Sequence, residues 1–256
     1  MNRDTYTFAA HATLDFANPF TPEAFGRVLA LTDLKAGDAF VDIGAGKATL
    51  CTRLAARGVN CDAIERAPLM AAETRRRVAD IRGTGSVRVH EEDAGAFIAR
   101  VPDGHYPAAA CIGSIHALGG LHQTLAALRR VVRPGGWALI GEGFWEQPPA
   151  AEYLAATGIE SHEFTPLAGL CDAALAAGLH PHLVLTASPR EWDEYEWAHA
   201  RGIEAWTAAH ADDPDAPAML ARSRGWRDAY LRWGRGTLGF ALLLCRRATN
   251  SNRAPS

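Results

Sequence analysis

The sequence has no C-x-x-C pair, and its five cysteines (Cys51, Cys61, Cys111, Cys171 and Cys245) are scattered and odd in number. Neither a disulfide framework nor a metal site is signalled, and the thiols read as small core residues. No stretch approaches the roughly 18 consecutive apolar residues of a membrane span, and the amino-terminal "MNRDTYTFAAHATLDF" lacks an apolar signal core. A cytoplasmic protein without a membrane partner is expected. A basic block able to neutralise a run of phosphates is also missing. "RRR" at 75–77 and "LRRVVR" at 128–133 are short patches on helix faces, and the formal net charge is -3. Nucleic acid is therefore not expected as a partner. With 48% hydrophobic and 21% charged residues over 256 positions, the chain suits one generous globular domain with room for an appended lid. Oligomeric state is not readable from it.

Strand and helix signals alternate from residue 37 to 145, the pattern of a parallel sheet covered by helices on both faces. Strands are expected at Ala39–Ile43, "NCDAIER", "SVRVHEED", "YPAAACIGS" and "WALIGEGFW". Between them, a helix from about Ala48 carries Leu50 and Leu54 and stops at Gly58; a second opens at Pro68, where a first turn tolerates proline. A third carries Leu121, Leu125, Leu128 and Val132 as one stripe and is stopped by "RPGG". Beyond a Pro-containing loop come a helix "PLAGLCDAALAAG", a strand "HPHLVLTAS" and a last strand "GTLGFALLLCRR". Residues 1–36 are expected to form a helical cap, with a helix near "PEAFGRVLALT", and 249–256 a flexible tail. Residues of about 191–234 form a helical insertion holding five of the seven tryptophans, with Trp226, Tyr230 and Trp233 spaced as one aromatic stripe.

In an open parallel sheet ligands bind beyond the carboxyl ends of the strands, so the first strand-to-helix turn, "FVDIGAGKA", draws attention. Gly44 and Gly46 let a ligand approach the backbone without meeting a Cβ. Glu65 ends the second strand, 19 residues after Gly46, where an acid can accept from both hydroxyls of a ribose. Asp93 ends the third, placed to accept from an adenine amino group. A nicotinamide dinucleotide needs helix-terminus N–H groups and a third glycine beside its pyrophosphate. Here Ala48 and Thr49 stand at the third-glycine spacings, and Asp42 before the turn would oppose phosphates. Asp42 suits a ligand with a cationic end and a nucleoside at the other, such as S-adenosylmethionine.

On "VDIGAGKA", "AIER", "EEDAGAF" and "LRRVVRPGGWALIGEGFW" the chain resembles the Rossmann-like (class I) S-adenosylmethionine-dependent methyltransferases. From "CIGSIHALGG" to "GEGFWEQPP" it is similar to a bacterial subgroup of small-molecule methyltransferase-like proteins. The resemblance implies a doubly wound, seven-stranded α/β sheet, mostly parallel with an antiparallel last strand, over residues 37–248. It implies S-adenosyl-L-methionine as cofactor, with S-adenosyl-L-homocysteine as product. Asp42 and the backbone of Gly44, Ala45 and Gly46 would face the methionine part, Glu65 and Arg66 the ribose, Asp93 and Ala94 the adenine, and Ile112, Gly113 and Ser114 the other side. Ala48, where relatives often carry glycine, departs from the pattern; altered packing rather than lost binding is expected.

Methyl transfer from a sulfonium asks the protein mainly to align the acceptor and exclude water. Where the acceptor must lose a proton, a base is needed, and His116 and Glu142 are the catalytic candidates. Each also has a plain local hydrogen-bonding reading. Candidate acceptor contacts are His116, Trp145, Trp192, Tyr195, Trp197 and Tyr230, the insertion acting as a lid over an aromatic or cationic acceptor or else as core. His180 and His182 read as structural. Two other functions stay open: a binding protein without turnover that serves regulation, and a nicotinamide-dependent oxidoreductase. No Asn-Pro-Pro-Tyr type motif follows the fourth strand, which argues against nucleic acid as methyl acceptor.

Overall fold

The computed structural model describes residues 1–249; the expected tail falls almost wholly outside them. Seven strands, β1 (Ala39–Ile43), β2 (Asn60–Ile64), β3 (Ser86–His90), β4 (Tyr106–Ile112), β5 (Val132–Trp145), β6 (Leu179–Thr186) and β7 (Leu238–Arg247), form one sheet in the order β3-β2-β1-β4-β5-β7-β6. β1 to β5 run parallel, while β7 pairs antiparallel with both β5 and β6. The chain winds outward from β1 to β3, then crosses to β4 and winds the other way. The order therefore reverses between β1 and β4, the place where such sheets open a crevice.

The two-residue period of β1 sorts its side chains onto both faces. Val41 and Ile43 join Ala109, Cys111 and Ile140 beneath Leu125 and Leu128 of α6 (Leu121–Val131). Phe40 joins Ala108, Ala110 and Leu139 beneath Phe25 and Val28 of α2 (Pro22–Ala30) and Leu54 of α3 (Thr49–Ala55). Asp42 shares the parity of Phe40 and so is buried on the α3 side, at 5% exposure.

Several elements depart from expectation. α1 (Arg3–Ala10), capped by the Asn2 side chain, precedes α2, and α7 (Ala151–Thr157) occupies what reads as loop. Short α5 (Ala94–Ala99) begins at Asp93. β5 reaches back through "RPGG" to Val132, which pairs with Tyr106 across a register irregularity. Helices α4 (Pro68–Ala79) and α8 (Leu167–Ala176) stand where the pattern puts them. Among the described residues no helix is long and apolar enough to cross a membrane.

The segment before β7 folds into α9 (Pro189–Ala209), opened by a Ser188–Glu191 capping box, and α10 (Ala216–Ala229). A π turn over Tyr230–Gly234 follows α10, and the extra residue it accommodates breaks the expected aromatic stripe. Trp226 turns to Glu196, Tyr230 to Asp193, and Trp233 to the cluster around Trp145 and Tyr153.

α9 lies against α1 at Gly202, where a Cβ would meet the backbone oxygens of Ala9 and Ala10. Gly202→Val is expected to lower stability by about 1–3 kcal/mol, since overpacking outweighs the few tenths of helix preference gained. Urea unfolding of the two proteins measures it.

Candidate active site

Three residues of the turn after β1 adopt left-handed backbone: Gly44 (φ 68), Gly46 (φ 56) and Ala48 (φ 51). Gly44 has two reasons to be glycine, because a Cβ there would also overlap the Ser114 side chain at the end of β4. The turn is tied to β2 and α4: Ala45 N–H donates to the Ile64 carbonyl (2.9 Å), Gly46 N–H to Glu65 Oε2 (2.9 Å), and Thr74 Oγ1 donates to the Gly46 carbonyl (2.7 Å).

A cleft of about 720 Å³ opens over this turn, walled by Asp42, Gly44, Ala45, Gly46, Glu65, Arg66, Asp93, Ala94, Ile112, Gly113, Ser114 and His116. All eleven residues expected to hold a nucleoside cofactor are thus brought together at the reversal point of the sheet. Glu65 accepts from Ala67 N–H (2.8 Å) on one oxygen and from Gly46 N–H on the other; a carboxylate has about four acceptor sites, so two remain for ribose hydroxyls. Burial raises its pKa and the backbone donors pull it back. Asp93 caps α5 with Oδ1 (2.9 Å from Ala96 N), which leaves Oδ2 to accept from an amino group. Asp42 lies at the floor, its carboxyl pushed up to about 7 by burial first and the Glu65 charge second. Among the described residues its side-chain partner is the Cys51 thiol, at 3.9 Å. A buried acid so poorly paired suits a cationic ligand group. The donor set therefore fits S-adenosylmethionine.

One wall of this cleft has little signal in the sequence. Lys47, one of two lysines in the chain, lines the cleft and is largely buried. Its Nζ donates to the carbonyls of His11 (2.6 Å), Ala12 (2.9 Å) and Leu14 (2.9 Å). A compact ammonium with three donors can satisfy three converging carbonyls, which a planar guanidinium cannot. The segment after α1 is thereby held over the turn, and Arg3, Asp4, Thr7 and His11 join the cleft wall. His11 donates from Nδ1 to the Thr7 carbonyl (2.8 Å), so its Nε2 accepts from Tyr195 O–H (3.0 Å). Burial and the nearby Lys47 charge keep the His11 pKa low.

A second cavity, about 220 Å³, adjoins the first and shares Ala17, Asn18, Gly113 and Tyr195 with it. Glu142, Trp192, Tyr195, Glu196, His199, Trp226, Phe164 and Phe240 line it. Glu142 Oε1 accepts from Gly143 N–H (2.9 Å), while Oε2 is buried without a partner among the described residues. Burial raises the Glu142 carboxyl to about 7; it does the same to Glu196, which accepts from Trp226 Nε1–H (2.9 Å).

Of the acceptor contacts expected, Trp192 and Tyr195 are on this cavity and His116 on the neighbouring cleft, its pKa lowered by burial and then by Arg3 and Arg66. Three are elsewhere and the expectation is corrected for them. Trp145 is core: its Nε1–H donates to the Ser161 carbonyl (2.9 Å) and its ring packs on Phe164. Trp197 lies 39% exposed beneath the Arg227 guanidinium. Tyr230 joins α9 to the π turn, donating to Asp193 (2.7 Å). His182 packs against Trp137. Glu196 and His199 went unread although they share a helical face with Ile203, a spacing that puts polar groups on a buried stripe.

Residues 40–136 match the family described as a methyltransferase domain. That match and the fold, shared with solved S-adenosylmethionine-dependent methyltransferases, support a Rossmann-like S-adenosylmethionine-dependent methyltransferase, a class of enzymes. An uncharacterized Escherichia coli K12 protein, YjhP, is 29% identical over 228 residues, covering 88% of this chain and 91% of that protein. Its crystal structure covers 94% of this chain and 98% of its own at a TM-score of 0.83. A Geobacter sulfurreducens S-adenosylmethionine-dependent methyltransferase, crystallised with S-adenosylhomocysteine, is similar at 26% identity and a TM-score of 0.84, covering 96% of this chain and 98% of that one.

Ala48 explains its own departure from glycine. Its left-handed backbone costs about 1–2 kcal/mol, but its methyl is fully buried, contributing roughly 0.8 kcal/mol, and glycine would add chain entropy to the unfolded state worth about 0.4–1 kcal/mol. The terms nearly cancel. Ala48→Gly is expected to stay within about 1 kcal/mol of the parent, and Ala48→Val to lose more than ~2 kcal/mol, in thermal or urea unfolding.

The raised carboxyls of Glu142 and Glu196 predict a pH dependence. Between their ordinary value of 4.5 and about 7 the folded chain keeps protons that the unfolded chain has released, so stability falls as pH rises through that window. Glu142→Gln should match the parent near pH 5 and exceed it near pH 8, by on the order of 1–3 kcal/mol. Unfolding curves at the two pH values test this.

Proposed function

We propose that the chain transfers a methyl group from S-adenosylmethionine to a small-molecule acceptor, with the cofactor in the 720 Å³ cleft and the acceptor in the 220 Å³ cavity beside it. The observation that carries this reading is the shared wall at Ala17, Asn18, Gly113 and Tyr195. A ligand in either cavity meets a ligand in the other just beyond β4. The acceptor cavity falls below the ~300–1,000 Å³ of drug-sized sites, which favours a small molecule over a protein segment or a flipped base.

Glu65 and Arg66 would hold the ribose, Asp93 and the Ala94 backbone the adenine, and Asp42 with the Gly44–Gly46 backbone the amino-acid end. Ile112, Gly113 and Ser114 would close the opposite side. When bound, the cofactor supplies an electrophilic methyl on a sulfonium with a neutral thioether as leaving group. The chain's own work is positioning and exclusion of water: the segment after α1, held by Lys47, walls the cleft, and Trp192 and Tyr195 from α9 wall the acceptor. Of the two candidate bases, Glu142 lines the acceptor cavity, whereas His116 lines the cofactor cleft. Glu142 is therefore assigned the acceptor's proton, and His116 a contact to the cofactor side. Similarity to the methyltransferase crystallised with S-adenosylhomocysteine supports the cofactor half of this reading.

Calorimetry decides the cofactor. Saturable binding of S-adenosylmethionine and S-adenosylhomocysteine is expected, none of NADH, and a roughly tenfold or greater loss in Glu65→Ala; tighter binding of NADH would overturn the assignment. Incubation with methyl-labelled cofactor and cell extract tests the acceptor. Label is expected in the small-molecule fraction. Label in protein or nucleic acid would refute a small acceptor, and no label anywhere would favour a binding protein without turnover.

A further inference from the structure

Every titratable group on the acceptor cavity is an acid or is held neutral. Its walls carry Glu142 from β5 and Tyr195, Glu196 and His199 from α9, and no lysine or arginine is among them. Burial and the charges of His11 and Arg222 push His199 down to about 4, so it supplies no positive charge near neutrality. Arg222 faces the Tyr6 ring at 5.5 Å and does not line the cavity. The basic side chains Arg3, Lys47 and Arg66 all belong to the neighbouring cofactor cleft. Two residues with buried carboxyls thus line one small cavity with no lysine or arginine beside them, an arrangement that is costly unless something cationic enters.

The remaining walls agree with that charge. Trp192, Tyr195, Trp226, Phe164 and Phe240 present aromatic rings, whose faces attract a cation. Two polar atoms of lining residues, Glu142 Oε2 and Trp192 Nε1, are buried without a partner among the described residues. One asks for a donor and the other for an acceptor. An anionic acceptor would meet Glu142 and Glu196 at once. A neutral alcohol would satisfy one carboxyl and leave the other's charge uncompensated.

We infer that the acceptor enters the 220 Å³ cavity as a protonated primary or secondary amine carrying an oxygen elsewhere, with Glu142 as the group that takes its proton. The inference rests on the methyl-transfer reading above and narrows its substrate class. The ammonium N–H donates to Glu142 Oε2, while Glu196 and the aromatic walls stabilise the positive charge; the oxygen accepts from Trp192 Nε1–H. Transfer of one proton from nitrogen to the Glu142 carboxylate frees the lone pair. The nitrogen then forms the N–C bond as the C–S bond breaks, its electron pair stays on sulfur, and the positive charge passes from sulfonium to the methylated ammonium. Glu142 later returns its proton to water, so the site is restored.

The test is a tryptophan-fluorescence titration of the full chain at pH 8, with S-adenosylhomocysteine present and absent. The probes are tyramine and 2-methoxyethylamine, each against the neutral alcohol of the same skeleton, and tyramine also against 3-(4-hydroxyphenyl)propionate. The amines are expected to bind roughly tenfold or more tightly than the alcohols, and the acid not at all. Glu142→Gln and Glu196→Gln should each cost about tenfold in amine affinity while affinity for S-adenosylhomocysteine is unchanged. Alcohols binding as well as amines, absence of amine binding, or full amine affinity in both variants would overturn the inference. Loss of S-adenosylhomocysteine binding in the parent protein would instead remove the methyl-transfer reading, with the amine preference still measurable from the fluorescence.

Discussion

The Lys47 ammonium holds together two parts of the chain on which both cavities depend. Its three hydrogen bonds to the carbonyls of residues 11, 12 and 14 fasten the segment after α1 to the turn that follows β1. That turn is itself held by Glu65 and Thr74. From the fastened segment come His11, which lines the larger cleft, and Ala17 and Asn18, which continue it into the smaller cavity. α9 completes the roof by packing its Gly202 against the end of α1 and passing Tyr195 to His11. Burial makes the charge on Lys47 costly, and its pKa falls to about 8; the three carbonyls offset that cost by replacing its water.

Charge is divided between the two cavities. The cofactor cleft mixes acids with Arg3, Lys47 and Arg66, as a ligand with both cationic and polar parts requires. The smaller cavity is lined by two glutamates, several aromatic rings and no lysine or arginine. Asp42, Glu142 and Glu196 each sit where burial lifts the carboxyl to about 7. Strongly shifted groups facing a cavity are expected where ligands bind, because the cost of burying them is recovered only on binding.

Much of the cofactor cleft was legible because its chemistry is local. "VDIGAGKA" joins strand to turn within a few residues, and Glu65 and Asp93 end the next two strands; a parallel sheet brings such ends together whatever the helices do. The sheet was legible for the same reason, through apolar strands alternating with amphipathic helices. The acceptor side was not. Trp145, Trp192, Trp197 and Tyr230 look alike as aromatic residues, yet Trp145 ends β5, α9 turns Trp192 and Trp197 to different surfaces, and a π turn shifts the face after Ala229. Lys47 gave no sign of its role, since its partners are backbone carbonyls more than thirty residues away.

The sequence alone determined the alternation of strands and helices and the acids and glycines at the ends of β1, β2 and β3, because each rests on periodicity or on a short contiguous stretch. Tertiary structure decided the strand order and the smaller cavity. Glu142 and Glu196 are 54 residues apart and meet one cavity only after β7 slots between β5 and β6 and α9 folds back onto α1. No local pattern records that meeting, since it is set by how separate elements pack.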